Sequence, residues 1–505
     1  MKRKGIVAGI ICLALAFALS GCSSSNSKNH KNHKSEEVTM SSEDVKAVST
    51  QELTQDEQIY ENLFDIENSV TVKIDISKEE LDKIQDDYEE YESIRSKSPI
   101  YRKADKVTIT VGDQVYEIEE VGIRLKGNMS RKPVYDEETG EPNICHYKLS
   151  FNETFDDEEY YGDDAKVWAS EEERQERKDR TFATLKKMEL KWNGMYDDTH
   201  IREYYATQIF RKEGVLVQHM NLSSLDINGD NYGVIKIYEP VDKIFIERNL
   251  PEEDWGGDLY KCGWTMRPCN YVKSSVNYGI EDKDEGTTYN FDLKTNKKSS
   301  NHESLEKLLD VLAKTDITSE DYASVIDTDS LAKFLAVSYF TGDPDDLRNN
   351  YNNHYVYFLK SSGKAIFIPY DNDRCFGLTK SWNPDGTGMT EVSPYSDDAI
   401  GSGRRQMNPL IKYGILENGF IRDKYTEELK KVAAFDEWKE ENFEEIYEIA
   451  KNNYEEVVEP SIKLANQKQP FVFSLEGKDT GSDDVNMAFS DYVTKIMETF
   501  NSEVE

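Results

Sequence analysis

Gly342-Asp-Pro-Asp-Asp-Leu-Arg-Asn-Asn-Tyr-Asn-Asn-His354 runs into Tyr355-Val-Tyr-Phe-Leu359, then Lys360-Ser-Ser-Gly-Lys364, Ala365-Ile-Phe-Ile-Pro-Tyr370 and Asp371-Asn-Asp-Arg-Cys-Phe-Gly377. Two short apolar runs flank a Ser-Ser-Gly turn, so the stretch reads as an acidic loop, a strand, a returning strand and a second acidic loop. A hairpin brings its own ends together. Asn353 at the entrance should therefore lie close to Asp371 at the exit, with Asp345 and Asp346 a few residues before. Phosphoryl transfer needs this layout: one carboxylate orients or deprotonates a hydroxyl, while an Asn and a second carboxylate hold Mg²⁺ against nucleotide phosphates. Asp and Asn also serve ordinary turns, so the spacing alone leaves both readings open.

Upstream, the pattern is mostly that of strands. Ser69 to Ile76 alternates apolar and polar residues, and Ser77 then caps a predicted helix carrying Leu81, Ile84 and Tyr88. Val107–Val111 and Val115–Ile118 flank Gly112-Asp113 as a hairpin. Val121–Leu125 and Tyr147–Phe151 read as further strands. Asp156 to Arg180 is highly charged and reads as a surface insertion. Thr199 to Lys212 reads as a helix with Ile201, Tyr205, Ile209 and Phe210 near one face. Asn228-Gly229 between Leu222–Ile227 and Tyr232–Tyr238 is a second hairpin signal. Later segments turn helical. Leu305, Leu308, Leu309 and Leu312 keep helical spacing, as do Leu331, Phe334, Leu335 and Tyr339, with Asp329 or Ser330 as the cap. A sheet-rich first half and a helix-rich second half predict an α+β chain of two lobes.

The Ile368-Pro369-Tyr370-Asp371-Asn372-Asp373-Arg374-Cys375-Phe376-Gly377 segment resembles the spore coat protein H (CotH) kinase family. Other resemblances fall in family order: Ile123-Arg124-Leu125-Lys126-Gly127-Asn128, Tyr147-Lys148-Leu149-Ser150-Phe151, Asp198-Thr199-His200-Ile201-Arg202-Glu203, Asn228-Gly229 through Glu239-Pro240-Val241-Asp242, and Asp258-Leu259-Tyr260-Lys261. Each is weak singly; the ordered set is specific. Tyr370 stands where the family has Trp. The resemblance implies an atypical protein-kinase-like fold over residues 59–500 that transfers phosphate from ATP to protein Ser or Thr, with Mg²⁺ or Mn²⁺. It implies Asp371 as the metal ligand, Asp373 as its companion, Asn353 as the catalytic-loop Asn and metal ligand, and Asp346, ahead of Asp345, as the catalytic Asp. Phosphates also need cations, and the candidates are Arg124, Lys126, Lys148 and Lys261, the last two preferred. Glu239 is read as a lysine's ion-pair partner or a metal ligand, or equally as a polar strand end, and Arg202 as a brace between lobes. Two other readings stand beside this one: a metal-dependent glycosyltransferase built on Asp371-x-Asp373, and a non-catalytic surface-binding module on a kinase-like scaffold.

The N-terminus speaks to location. Lys2, Arg3 and Lys4 precede an apolar stretch from Ile6 to Leu19, too short to span a bilayer comfortably, which ends in Leu19-Ser20-Gly21-Cys22. This resembles a bacterial lipobox. Residues 1–21 would be a signal peptide, Cys22 the lipidated first residue, and 22–58 a flexible tether to the outer face of the cell membrane. His30 and His33 in that tether do not make a preformed metal site. The net charge is −36, or −39 without Lys2, Arg3 and Lys4. Such acidity argues against nucleic acid as a partner, leaves a surface or coat protein as the expected acceptor, and requires a locally basic pocket for any polyanion. Cys262 and Cys269 could pair outside the cell, with buried free thiols as the default.

Overall fold

The computed structural model describes residues 53–127, 130–192, 197–265, 268–379, 386–397, 406–477 and 485–504. The signal segment, Cys22, the histidines of the tether and Asn128 lie outside these residues. Folded structure begins before Tyr60: α1 (Gln55–Leu63) is capped by a reciprocal Thr54–Glu57 box and buries Ile59, Tyr60 and Leu63.

The first lobe is a closed barrel in the order β1 (Val70–Asp75), β2 (Arg102–Val111), β3 (Gln114–Leu125), β4 (Tyr147–Ser150), β5 (Lys187–Trp192), β7 (Asp230–Tyr238), β6 (Met220–Ile227). Closure comes from a parallel pairing of β6 with β1. Period-2 alternation sends Val72, Ile74, Val107, Ile109, Ile123, Leu149, Met188, Leu190 and Ile237 into one apolar core. The two predicted strands after Gly112-Asp113 are one continuous β3. Asn228 and Gly229 both take positive φ, as the tight β6–β7 turn requires. α2 (Lys78–Ser93) is capped by Ser77 as expected. The charged insertion forms two short helices, α3 (Glu158–Tyr161) and α4 (Glu171–Asp179), anchored by the buried Arg177.

α5 (Arg202–Lys212) begins three residues later than its sequence pattern suggests, because the Asp197 carboxylate accepts the Thr199 and Arg202 amides and holds a turn there. After α6 (Lys243–Asn249), the second lobe is built on a sheet ordered β12 (Ala365–Pro369), β11 (His354–Phe358), β8 (Leu259–Cys262), β10 (Phe291–Leu293), β9 (Tyr278–Gly279). One face packs Leu259, Tyr355, Tyr357, Ile366 and Ile368 against α6. The other face joins the large helical core formed with α7 (Glu303–Leu312), α8 (Ser319–Val325), α9 (Thr328–Thr341), α10 (Pro409–Ile411), α11 (Arg422–Ala433), α12 (Glu440–Tyr454) and α13 (Phe489–Glu503). A last small ladder pairs β13 (Leu378–Thr379) with β14 (Val485–Asn486). Asp327, not Asp329 or Ser330, caps α9, accepting the Ser330 amide at 2.9 Å. Asp371 and Asp373 follow an antiparallel hairpin, so the glycosyltransferase reading lacks the doubly wound parallel sheet it would need.

Cys262 and Cys269 are free and buried, so the pairing considered above does not form. The Cys269 thiol instead lies 3.1 Å from the Asn290 carbonyl and 3.2 Å from that of Gly263. Among the described residues no helix is long and apolar enough to cross a membrane.

Candidate active site

The barrel wall that faces the second lobe is charged. In β5 the alternation that buries Met188 and Leu190 turns Lys187, Glu189 and Lys191 outward, and the β3–β4–β5–β7 registers line up Arg124, Lys148, Glu189 and Tyr238 in one row. The second lobe brings up the hairpin of β11 and β12. Its register pairs His354 with Pro369, and the Tyr370 amide donates to the Asn353 carbonyl at 3.2 Å. Asn353 and Asp371, both at positive φ, thus sit side by side as the sequence suggested.

Lys191 occupies the centre. Its ammonium bonds directly to Asp371, stands 3.2 Å from Asp373 and 3.6 Å from Glu203 of α5, and is itself almost wholly buried. Burial opposes its charge, but Asp371, Asp373 and Glu203 outweigh that and hold its pKa well above the lysine range. Burial would raise Asp373; Lys191 and Arg374 instead hold it well below the carboxylate range. Glu203 also accepts from Lys236 at 2.9 Å and from the Tyr238 hydroxyl at 2.8 Å. Sequence reasoning passed over Lys191. The available signal was the Lys187-x-Glu189-x-Lys191 alternation, a strand whose second face is charged yet covered.

The two candidate catalytic aspartates part company. Asp346 points inward. Its Oδ1 accepts the Asn349 amide at 2.7 Å, its carbonyl accepts the amides of Asn350 and Asn352, and burial pushes its carboxyl up to about 7. Asp345 is half-buried and accepts side-chain amides from Asn350 at 2.5 Å, Asn352 at 3.1 Å and Asn353 at 3.1 Å. Burial raises its carboxyl to about 6, with Asp371 and Asp373 adding repulsion. Asp345 is thus the one of the two whose carboxylate shares a space with Asp371 and Asp373. Asp345 and Asn350 also stand at the Asp-x-x-x-x-Asn spacing of a kinase catalytic loop. Asp343, unmarked by the sequence reading, is buried and accepts the Asp345 and Arg374 amides, so it fixes both acidic loops relative to each other.

Of the proposed phosphate cations, Lys126 and Lys148 both bond to Glu189, at 2.5 and 2.9 Å. Burial would raise Glu189, but Lys126, Lys148 and Lys261 hold it well below the usual range. Lys261 lies 3.9 Å from the Tyr370 ring centroid, and burial followed by crowding from Lys126, Lys294 and Lys97 lowers it to about 7 despite Glu189. Arg124 donates to the Ser98 and Leu125 carbonyls. Glu239 is not part of this cluster. It is buried, accepts the His219 amide at 2.9 Å and pairs with Arg248 of α6 rather than with a lysine of the cleft. Arg202 does brace the structure: it pairs with Asp197 at 3.3 Å and donates to the Phe376 and Met487 carbonyls, tying α5 to the loop that follows Asp373.

Asp371 and Asp373 already converge on one cation, the Lys191 ammonium, and the oxygens around them belong to carboxylates and amides. That donor chemistry suits Mg²⁺ or Mn²⁺. Among the described residues no three acidic, His or Cys side chains form a ready-made cage.

Residues 149–499 match the CotH kinase protein family, and the chain belongs to that family. The match covers the loops that carry Asp345 and Asp371, with Lys191, Glu203 and Lys261; Arg124, Lys126 and Lys148 precede it. No curated protein matches the chain.

Proposed function

We propose that this chain is an atypical protein kinase that moves the γ-phosphoryl group of ATP to a Ser or Thr hydroxyl, outside the cytoplasm. The observation that carries this reading is the Lys191–Asp371–Asp373 cluster facing Asp345 across one space. Bound Mg²⁺ would neutralise phosphate charge between Asp371, Asp373 and the amide oxygens of Asn350 or Asn353. Lys191, with Glu203 behind it, is positioned to turn toward phosphate oxygens. Lys126, Lys148 and Lys261, joined through Glu189, line the same wall and supply further positive charge. Asp345, its carboxylate steadied by three asparagine amides, orients the acceptor hydroxyl and takes its proton. Family membership supports kinase chemistry. The basic–apolar–Leu-Ser-Gly-Cys order at the N-terminus supports lipid anchoring at Cys22 and an extracytoplasmic acceptor.

The direct test is transfer of label from [γ-³²P]ATP with Mg²⁺ or Mn²⁺, beside Asp371→Ala. Label transfer by the parent that the variant loses supports the proposal. Equal labelling by both would remove Asp371 from the metal site, and nucleotide-sugar turnover without ATP turnover would overturn the kinase reading.

A further inference from the structure

The cleft wall carries a second group of cations beside those around Glu189. Lys126, Lys148 and Lys261 surround one carboxylate, Glu189, with Arg124 in the same row. Beside them stand five more cations: Lys97, Lys187, Lys283, Lys294 and Lys297. Lys294 bonds Asp292, and Lys97 reaches Glu281 only at 3.9 Å. Lys187, Lys283 and Lys297 make no ion pair among the described residues. The patch is built rather than incidental. The loop between β9 and β10 is clasped to the end of α2: the Ser96 hydroxyl donates to the Lys283 carbonyl at 2.5 Å, and the hydroxyls of Tyr91 and Tyr160 donate to Asp284 at 2.6 and 3.1 Å. This seats Lys283 of one lobe beside Lys97 and Arg124 of the other. β10 then places Asp292 directly across from Lys261 and delivers Lys294 and Lys297 to the same edge. Burial pushes Lys97 and Lys283 below the usual lysine range, with nearby Lys294 adding to it and Glu281 opposing it; Lys297 is exposed at the rim of the same edge. Glu281 and Asp292 stand among these lysines and offset part of the charge, but five ammonium groups outnumber them, and an excess of buried positive charge is relieved by an anionic ligand.

We propose that Lys97, Lys187, Lys283, Lys294 and Lys297 dock an Asp/Glu-rich segment of the polypeptide that accepts the phosphate. The inference rests on the phosphotransfer reading and names its substrate class. A chain of net charge −36 repels acidic segments from the rest of its surface, so a local positive patch both attracts such a segment and fixes where it lands. The patch adjoins the wall that carries Glu189 and Lys261, and a docked segment would present its hydroxyl toward Asp345.

Binding of a labelled Ser-containing, Glu-rich peptide, followed by fluorescence anisotropy without nucleotide, tests the docking apart from the chemistry. The expected result is binding that weakens as salt is raised through about 0.15 M, with the Gln-for-Glu peptide weaker. Lys283→Glu combined with Lys297→Glu should lose about tenfold in peptide affinity, or about 1.4 kcal/mol. Its thermal midpoint shows whether the variant is folded, and Lys283→Gln with Lys297→Gln gives a milder second series. Equal binding of the Glu and Gln peptides overturns the proposal. So does an unchanged peptide affinity in folded variants, or a parallel loss of affinity for a fluorescent ATP analogue, which would assign these lysines to the triphosphate. Inorganic polyphosphate binding without peptide binding also overturns it. Peptide binding without any phosphate transfer would leave the docking surface standing and sink the kinase reading instead.

Discussion

Replacing Lys191 by Met removes the cation bonded to Asp371 among the described residues and leaves Glu203 with Lys236 and the Tyr238 hydroxyl. A unit-charge pair about 4 Å apart is worth about 4 kcal/mol at an effective dielectric of about 20. Stripping one member from a buried pair costs about 3–5 kcal/mol. Lys191 is buried, but the Asp371 and Asp373 side chains keep about a third of their surface in solvent, at 32% and 33%. Screening at that exposed side trims the expected loss to about 2–4 kcal/mol. Urea unfolding of Lys191→Met against the parent measures it. A second readout separates this charge argument from lost packing. The vacated carboxylates should hold a divalent cation without nucleotide, so Mg²⁺ or Mn²⁺ at about ten times its dissociation constant should restore about 1.4 kcal/mol to the variant, and much less to the parent, whose ammonium already fills that place. Loss of less than about 1 kcal/mol, or equal metal stabilisation of both proteins, would refute the pairing of Lys191 with Asp371 and Asp373.

The division between the two catalytic-loop aspartates can be checked by substitution. Asp345→Asn should lower kcat by about 10²–10⁴ while the melting midpoint moves little. Asp346→Asn, at an inward-facing residue that takes the Asn349 amide, should lower the midpoint, with turnover tracking the folded fraction. Lys261, lowered to about 7, is charged below that pH and neutral above it. Because phosphate binding favours the charged form, affinity for a non-hydrolysable ATP analogue, which does not depend on Asp345 as base, should fall as pH rises from 6 to 8, and Lys261→Arg, charged throughout, should flatten that fall. Arg202→Met removes a buried guanidinium from Asp197, Phe376 and Met487; a loss of about 3–5 kcal/mol by urea titration is expected, and a loss within error would deny Arg202 its bracing role.

The parts of the site that could be read from the chain were local. Two short apolar runs around Ser361-Ser362-Gly363 specify a hairpin, and a hairpin must place Asn353 beside Asp371 whatever surrounds it. The Ser77 cap, the Asn228-Gly229 turn and the apolar faces of most barrel strands follow from the same short-range rules. The ordered motifs pointed to the family that residues 149–499 match. Tertiary structure decided the rest. Lys191 and Asp371 are 180 residues apart, and only closure of the barrel against the second lobe makes one the counter-charge of the other. Neighbouring Asp345 and Asp346 have nearly the same sequence context; which one faces the cleft depends on how the loop is pinned by Asp343 and Asn349. Glu239 looked like a site residue until folding gave it Arg248. Charge on a side chain is written in the sequence, but its electrostatic role depends on distance and burial, and those exist only once distant strands have packed.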